Sequence, residues 1–284
     1  MNPRRWQISY ELVSRFSSPV SENYYKLRFF PKDTDRQKTL SMEFRVETSS
    51  WHSTGKDSFG NTFCIGSCMK PHSEFKAVML AAVEKQSGAS YEPANPVKLG
   101  MYKCATRLTY IGEELSRFAR NISPQKPVSS SSAFFPSRES ALGSEDSLSS
   151  NAWDRTLALM SSLSASFSYQ SGATHFNTTA EQAFKQGKGV CQDYAHILLA
   201  LCRREGIISR YVAGMIPGEG ATHAWIEVYS NGYWKGFDPT HNRETDDSYI
   251  TFSVGLDAQM CALNRGVFKR GIEIAQQVRA EMHE

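Results

Sequence analysis

The chain has 284 residues, with 32 Lys and Arg against 29 Asp and Glu, and the resulting charge of +3 is too small to argue for a nucleic-acid or anionic-membrane surface. At roughly 100–200 residues per domain the length allows more than one domain, and no apolar run approaches the roughly 20 residues of a membrane helix. Residues 1–16 (MNPRRWQISYELVSRF) lack the apolar core of a signal peptide, so a soluble, cytoplasmic protein with six free cysteine thiols is expected.

Residues 1–90 read as a β unit. Segments 7–15 (QISYELVSR), 24–30 (YYKLRFF) and 40–48 (LSMEFRVET) are strand-like and separated by polar breaks, at Pro19 and at 32–35. Residues 57–61 (DSFGN) read as a turn before an apolar strand at 62–65. Segment 75–83 fits two periods: Phe75, Val78, Met79, Ala82 and Val83 make a helical stripe, while Phe75, Ala77, Met79, Ala81 and Val83 make a strand face. Cys64, Cys68 and His72 have zinc-like spacing, but no comparable fourth ligand is evident, and no metal is expected.

Residues 91–152 read as a connecting segment, introduced by the polar, proline-bearing 87–96 (SGASYEPANP). It holds a short helix within 108–119 and a serine-rich stretch, 121–150, whose composition suits loop or exposed linker. Residues 153–284 read as a core. There 153–167 resumes a helical pattern, with Trp153, Leu157 and Met160 on one stripe, and residues 179–182 (TAEQ) form a capping box for a short helix ending at Gly187.

The richest chemistry lies in 187–240. Cys191 begins a run with Tyr194, Ile197, Leu198, Leu201 and Cys202 at the spacing of an amphipathic helix, with Arg203, Arg204 and Glu205 in its last turn and Gly206 at its end. Cys191 is thus placed at a helix N-terminus, where unpaired N–H groups and the dipole favour a thiolate. Downstream, THAWIEVY (222–229) and YWKGF (233–237) flank Asn231-Gly232, a hairpin signal. A two-residue turn there sets Ser230 opposite Tyr233 and makes His223 and Asp238 diagonal neighbours on one face, within reach of each other. Nucleophile, base and orienting carboxylate follow in chain order.

Three separated motifs, GVCQDYAHILLALCRREGIISRYVAG, THAWIEVY and WKGFDPT, together resemble the catalytic core of the transglutaminase-like superfamily of cysteine enzymes. Residues 167–184 resemble the family's run before the nucleophile, so the matching region covers 153–271. The resemblance implies Cys191 as nucleophile, His223 as base and Asp238 as third member, in a papain-like fold whose cysteine helix packs on a small antiparallel sheet. In the first unit, SRFSSPVSENYYKLRFFP, the DSFGN turn and PHSEF resemble the β-sandwich domain that precedes this core in bacterial transglutaminase-like proteins, which implies a strand at 75–83. The expected class is α+β, an N-terminal β-sandwich followed by a papain-like core. Animal transglutaminases carry a tryptophan after the nucleophile, where this chain has Gln192. Residues 261–264 (CALN) stand where related bacterial sequences usually have prolines, and so bear on a cleft edge.

The expected activity is acyl transfer from amides of a peptide or protein substrate through a thioester, with no cofactor. The Cys191 backbone N–H is the first oxyanion donor and Gln192 the second. Hydrolysis is favoured over amine transfer because a lysine acceptor, of ordinary pKa about 10.4, is protonated at neutral pH and needs a dry channel. Trp225, Tyr233 and Trp234 are the aromatics that could line one. A non-catalytic binding module that kept the same shell is the alternative, and retention of all three triad residues favours the enzyme. Cys202, His196 and His241 read as packing residues or bystanders.

Overall fold

The computed structural model describes residues 3–122 and 145–284, so most of the serine-rich stretch lies outside the described residues. The chain opens with β1 (Arg4–Leu27), β2 (Gln37–Val46), β3 (Trp51–Lys56), β4 (Thr62–Cys68), β5 (His72–Lys85) and the short β6 (Ser90–Tyr91). Helices α1 (Pro96–Met101), α2 (Glu113–Ile122) and α3 (Glu145–Ser164) lead through β7 (Ser168–Tyr169) to α4 (Ala180–Gln186), β8 (Lys188–Gly189) and α5 (Cys191–Arg204). Strands β9 (Ser209–Met215), β10 (His223–Ser230), β11 (Tyr233–Asp238), β12 (Arg243–Glu244), β13 (Ile250–Gly255), β14 (Asn264–Lys269) and β15 (Glu273–His283) complete it.

Pro19 does not separate two strands. One 24-residue strand, β1, runs through it and turns a corner there. The first half of β1 pairs antiparallel with β5 and β15, the second half with β4 and β14. Between the halves the register shifts, and Glu22 takes a left-handed φ of 49°. Proline cannot donate to a ladder, and a bulge adds local twist, so this stretch re-aims the strand. The bend folds the two halves over one core, in which Tyr10 and Leu12 meet Tyr25, Leu27, Phe29 and Phe30. Tyr10 stacks on Phe29 with ring centroids 4.3 Å apart.

The ambiguous segment 75–83 is strand, as the resemblance implies. It lies in β5 between β1 and β2, and alternate Phe75, Ala77, Met79, Ala81 and Val83 are buried. Pairing on both edges decides between the two periods. Residues 264–283, drawn from sequence as part of the core unit, instead return to the first sheet as β14 and β15, both against β1. Without them the long β1 would expose a row of unpaired backbone groups, an edge that folded proteins cover.

The core is an antiparallel run, β12-β11-β10-β9-β13, with α5 packed on β9 and β10. Every α5 residue from Asp193 to Arg203 is buried, which includes the expected apolar stripe. Thr179 and Gln182 close a capping box on α4, and Gly187 ends it with φ 73°. The hairpin has the register that its sequence dictates: Ser230 opposes Tyr233 and Ile226 opposes Phe237, with Asn231 and Gly232 both at positive φ. Among the described residues no helix is long and apolar enough to cross a membrane.

Core and first sheet share an apolar junction, to which β9 and β13 contribute Met215, Ile250 and Phe252. Two buried amides lock it. Gln37 donates to the Thr251 carbonyl (2.8 Å) and accepts the Thr251 N–H (2.9 Å), and Asn61 does the same for Val254 at 2.8 Å each way. These side chains take the place of a neighbouring strand along the free edge of β13. Asn61→Leu leaves a buried donor and acceptor of Val254 without partners, at about 1–3 kcal/mol each. A loss of about 2–4 kcal/mol in urea unfolding is expected, and a loss under about 1 kcal/mol would contradict this role.

Candidate active site

The thiol is positioned by local structure first. After the Gly187 turn the chain passes through 188–190 into α5, where Asp193 accepts the Val190 N–H (2.8 Å) and the Thr174 hydroxyl (2.5 Å). Gly189 packs directly on this carboxyl, since a Cβ there would stand 2.5 Å from Oδ2. Burial pushes the Asp193 carboxyl up, against the pull of those two hydrogen bonds. Cys191 is therefore the first residue of the helix, partly exposed, on a cleft of about 530 Å³. The Asp193 N–H turns to the Val190 carbonyl (2.9 Å), while the Cys191 and Gln192 N–H groups precede the first intrahelical bonds.

His223 opens β10 opposite Gly214 and lines the same cleft. Its Nε2 lies 2.8 Å from Asp238 Oδ2, both side chains being buried. That bond requires the proton on Nε2. Nδ1 of His223 is buried with no hydrogen-bond partner in standard geometry, and the Cys191 thiol is the group near enough to act on the ring. Burial alone would lower the imidazole's pKa, but the bond to Asp238, and then Cys191, outweigh it and raise it to about 10. A cationic imidazole at neutral pH is the electrostatic partner that a thiolate needs.

Asp238 collects more donors than its sequence context suggested. Oδ2 also accepts from Tyr249 Oη (2.8 Å) and His241 Nδ1 (2.7 Å), and Oδ1 accepts the N–H groups of Thr240 (2.9 Å) and His241 (3.3 Å). Burial pushes this carboxyl up, yet the bond to His223 and the others hold it well below the usual carboxylate range. Arg243 Nε in turn donates to Tyr249 Oη at 2.9 Å. His241, read from sequence as a bystander, thus touches the carboxylate from the partly exposed side. Its signal was present: an Asp-Pro turn places residue i+3 back over the aspartate. Tyr249, 11 residues on, had no such local signal.

Residues 142–239 match the Transglutaminase-like superfamily, and residues 6–84 match the Bacterial transglutaminase-like N-terminal region. The chain carries a transglutaminase-like core behind a bacterial transglutaminase-like N-terminal region. Among curated proteins it is similar to an uncharacterized protein of Mycobacterium leprae, 27% identical over 271 residues and 89% of each chain. An uncharacterized protein of Mycobacterium tuberculosis is 23% identical over 275 residues, covering 89% of this chain and 84% of its own. Among solved structures, a candidate cysteine protease from Cytophaga hutchinsonii superposes with a TM-score of 0.67 at 19% identity, over 100% of this chain and 92% of that one. At that identity the likeness is one of fold.

In the transglutaminase-like core the cleft has walls from both units. Tyr10 and Leu12 of β1 and Val278 of β15 line it from the N-terminal sheet together with Cys191, and 261–264, the stretch that departs from the family pattern, lines it as well. Gln192 also lines the cleft, and its Nε2 donates to the Phe176 carbonyl (3.1 Å), which engages one of its two amide N–H bonds. His196 sits at the core of α5, where its Nε2 accepts the Ala258 N–H (3.1 Å) and burial pulls it down to about 4. Cys64 and Cys68 point into the first core, while His72 turns to Asn23 and the Lys70 carbonyl. Among the described residues the cluster with metal-like proximity is His223, Asp238 and His241, within 4.8 Å. Its shared carboxylate oxygen is already occupied by donors.

The raised imidazole has a consequence for stability. His223 binds its proton more tightly folded, at about 10 against 6.5, so its contribution is complete below about pH 6.5 and declines as pH rises toward 10. The gap in unfolding free energy between wild type and His223→Gln is therefore expected to narrow from pH 6 to pH 9.5. Urea titrations at both pH values check this, and a constant or widening gap would refute it.

Proposed function

We propose that the protein is a thiol-dependent acyl-transfer enzyme that cleaves peptide or side-chain amides, with Cys191 as nucleophile, His223 as base and Asp238 as its orienting partner. The observation that carries this reading is the buried His223–Asp238 pair, with Nδ1 unpartnered, beside a cysteine at a helix N-terminus in one cleft. The Cys191 thiolate, its proton already held by the His223 imidazolium, attacks the carbonyl carbon. The C–N bond breaks as His223 returns that proton to the leaving amine. Water then loses a proton to His223 and attacks the thioester, which releases the acid and regenerates the thiolate beside the imidazolium. The Cys191 backbone N–H supports the developing oxyanion, and Gln192 is the second donor.

Hydrolysis is favoured over amine transfer by the places of the aromatics that could have lined an amine channel. Trp225 is buried against Tyr249, Trp234 is buried under the Arg210 guanidinium at 3.9 Å, and Tyr233 stands at the hairpin end against Tyr91. None of them lines the cleft. The test offers peptide amides with and without a labelled primary amine to wild type and Cys191→Ala. Acid release by wild type alone is expected. Amine incorporation with little free acid would reverse the preference, and cleavage by Cys191→Ala would remove the nucleophile.

A further inference from the structure

A second concavity, of about 580 Å³, lies outside the catalytic cleft, on the outer face of the second half of the N-terminal sheet. Its construction follows from strand register. Trp51, Ser67, Tyr24 and Val267 pair in sequence across β3, β4, β1 and β14 and form one transverse row. Two residues along, Ser53, Ile65, Lys26 and Arg265 form the next row on the same face. Adjacent strands are about 4.8 Å apart, so Trp51 and Tyr24 stand roughly 9–10 Å from each other with the small Ser67 between them. Two van der Waals contacts at about 3.5–4 Å each fit in that gap, which is the room for one flat ring. The walls are open to solvent: Trp51 is 58% exposed, Tyr24 50%, Val267 68% and Ile65 38%. Scattered exposed apolar residues are ordinary, but a contiguous row of them marks a contact surface.

Two features indicate what occupies the slot. The first is continuity: Arg265 lines both this groove and the catalytic cleft, and β14 carries the wall from Asn264 in the cleft to Val267 in the groove. At about 3.3 Å per residue those positions are roughly 10 Å apart, so an extended chain crosses from one to the other in about three residues. The second is charge. Lys26 rests over the Phe63 ring (4.2 Å), Arg265 donates to the Gln259 carbonyl, and neither forms an ion pair with a described residue. These cations occupy the row nearer the cleft, and the aromatic slot lies beyond them.

We propose that this groove is a distal substrate subsite, which takes an aromatic side chain of an extended peptide at least about three residues from the scissile amide, with an acidic residue between them over Lys26 and Arg265. The proposal rests on the acyl-transfer reading and adds the class of peptide. A peptide laid along β14 spans both concavities, and an aromatic ring between Trp51 and Tyr24 buries two faces that are otherwise wet.

The test uses full-length Cys191→Ala protein and the acetylated pentapeptide amide Phe-Asp-Ala-Gln-Gly, together with the same residues in reverse order, each beside a counterpart with alanine in place of phenylalanine. By calorimetry, one order is expected to bind about tenfold more tightly than its alanine counterpart. Trp51→Ala, on the exposed edge strand β3, and independently Tyr24→Ser are expected to abolish that difference. In wild type the bound peptide is expected to slow iodoacetamide alkylation of Cys191 severalfold. Equal affinities for both orders and their counterparts, a preference that survives both substitutions, or unprotected alkylation despite binding would each overturn the subsite. An unreactive Cys191 in peptide-free wild type counts against the acyl-transfer reading instead, and the affinities still judge the groove.

Discussion

Asp238→Asn is expected to lower amide cleavage by about 10³–10⁴-fold, the scale of losing the carboxylate behind a catalytic histidine. The hydrogen bonds at Asp238 show why an isosteric amide is no substitute. All of its partners donate: His223, Tyr249 and His241 side chains to Oδ2, and the Thr240 and His241 N–H groups to Oδ1. An asparagine must turn its own N–H₂ toward one of these sets. Turned toward His223, it requires Nε2 to accept, so the proton moves to Nδ1 and the ring can no longer take one from Cys191. Turned toward the loop, it leaves two backbone N–H groups facing donors, at about 1–3 kcal/mol each. In both orientations the imidazolium loses its counter-charge, and burial, which already opposes protonation of His223, then prevails. Slower alkylation of Cys191 by iodoacetamide at pH 6–7 is expected alongside the loss of cleavage. A variant within about tenfold of wild type in both assays would show that Asp238 serves folding alone.

The legible parts of this chain are those whose geometry is set within a few residues. Asn231-Gly232 fixes a two-residue turn, and that alone sets the hairpin register and brings His223 and Asp238 to one face. The Thr179 and Gln182 box and the Cys191 helix start are equally local. Harder to see was whatever depends on a partner far along the chain. Pro19 reads as a break in any window, and only pairing with β4, β5, β14 and β15, all far along the chain, shows that β1 passes through it. Gln37 and Asn61 look like ordinary polar residues until the free edge of β13 is set beside them. Tyr249 reaches Asp238 because β13 folds back along β9, a contact that no periodicity encodes. The family resemblance supplied what periodicity left open at 75–83, since it carried the outcome of such long-range pairing.

Arg203→Met is expected to reduce stability by about 3–5 kcal/mol. In sequence Arg203 is one of several charges in the last turn of α5, where cations suit the helix dipole. In the structure it is buried, and it donates to the carbonyls of Tyr102 (3.2 Å), Ser209 (3.2 Å) and Leu256 (2.7 Å) and to the Thr109 hydroxyl (2.8 Å). Burial pulls its pKa down to about 10, so it stays charged at neutral pH. Those acceptors come from the connecting segment, from the start of β9 and from the turn after β13, and one guanidinium joins all of them to the helix that begins with Cys191. Methionine restores the volume and removes the desolvation penalty of a buried cation, but it leaves the acceptors dry at about 1–3 kcal/mol each. The penalty removed offsets part of that sum, and the remainder is still a large share of the roughly 5–15 kcal/mol that holds a domain folded. Arg203→Lys keeps the charge but not the planar fork, so it is expected to fall between the two. Urea unfolding of the three proteins at pH 7 decides the matter: a methionine variant within about 1 kcal/mol of wild type would mean that water or backbone movement satisfies those carbonyls without Arg203.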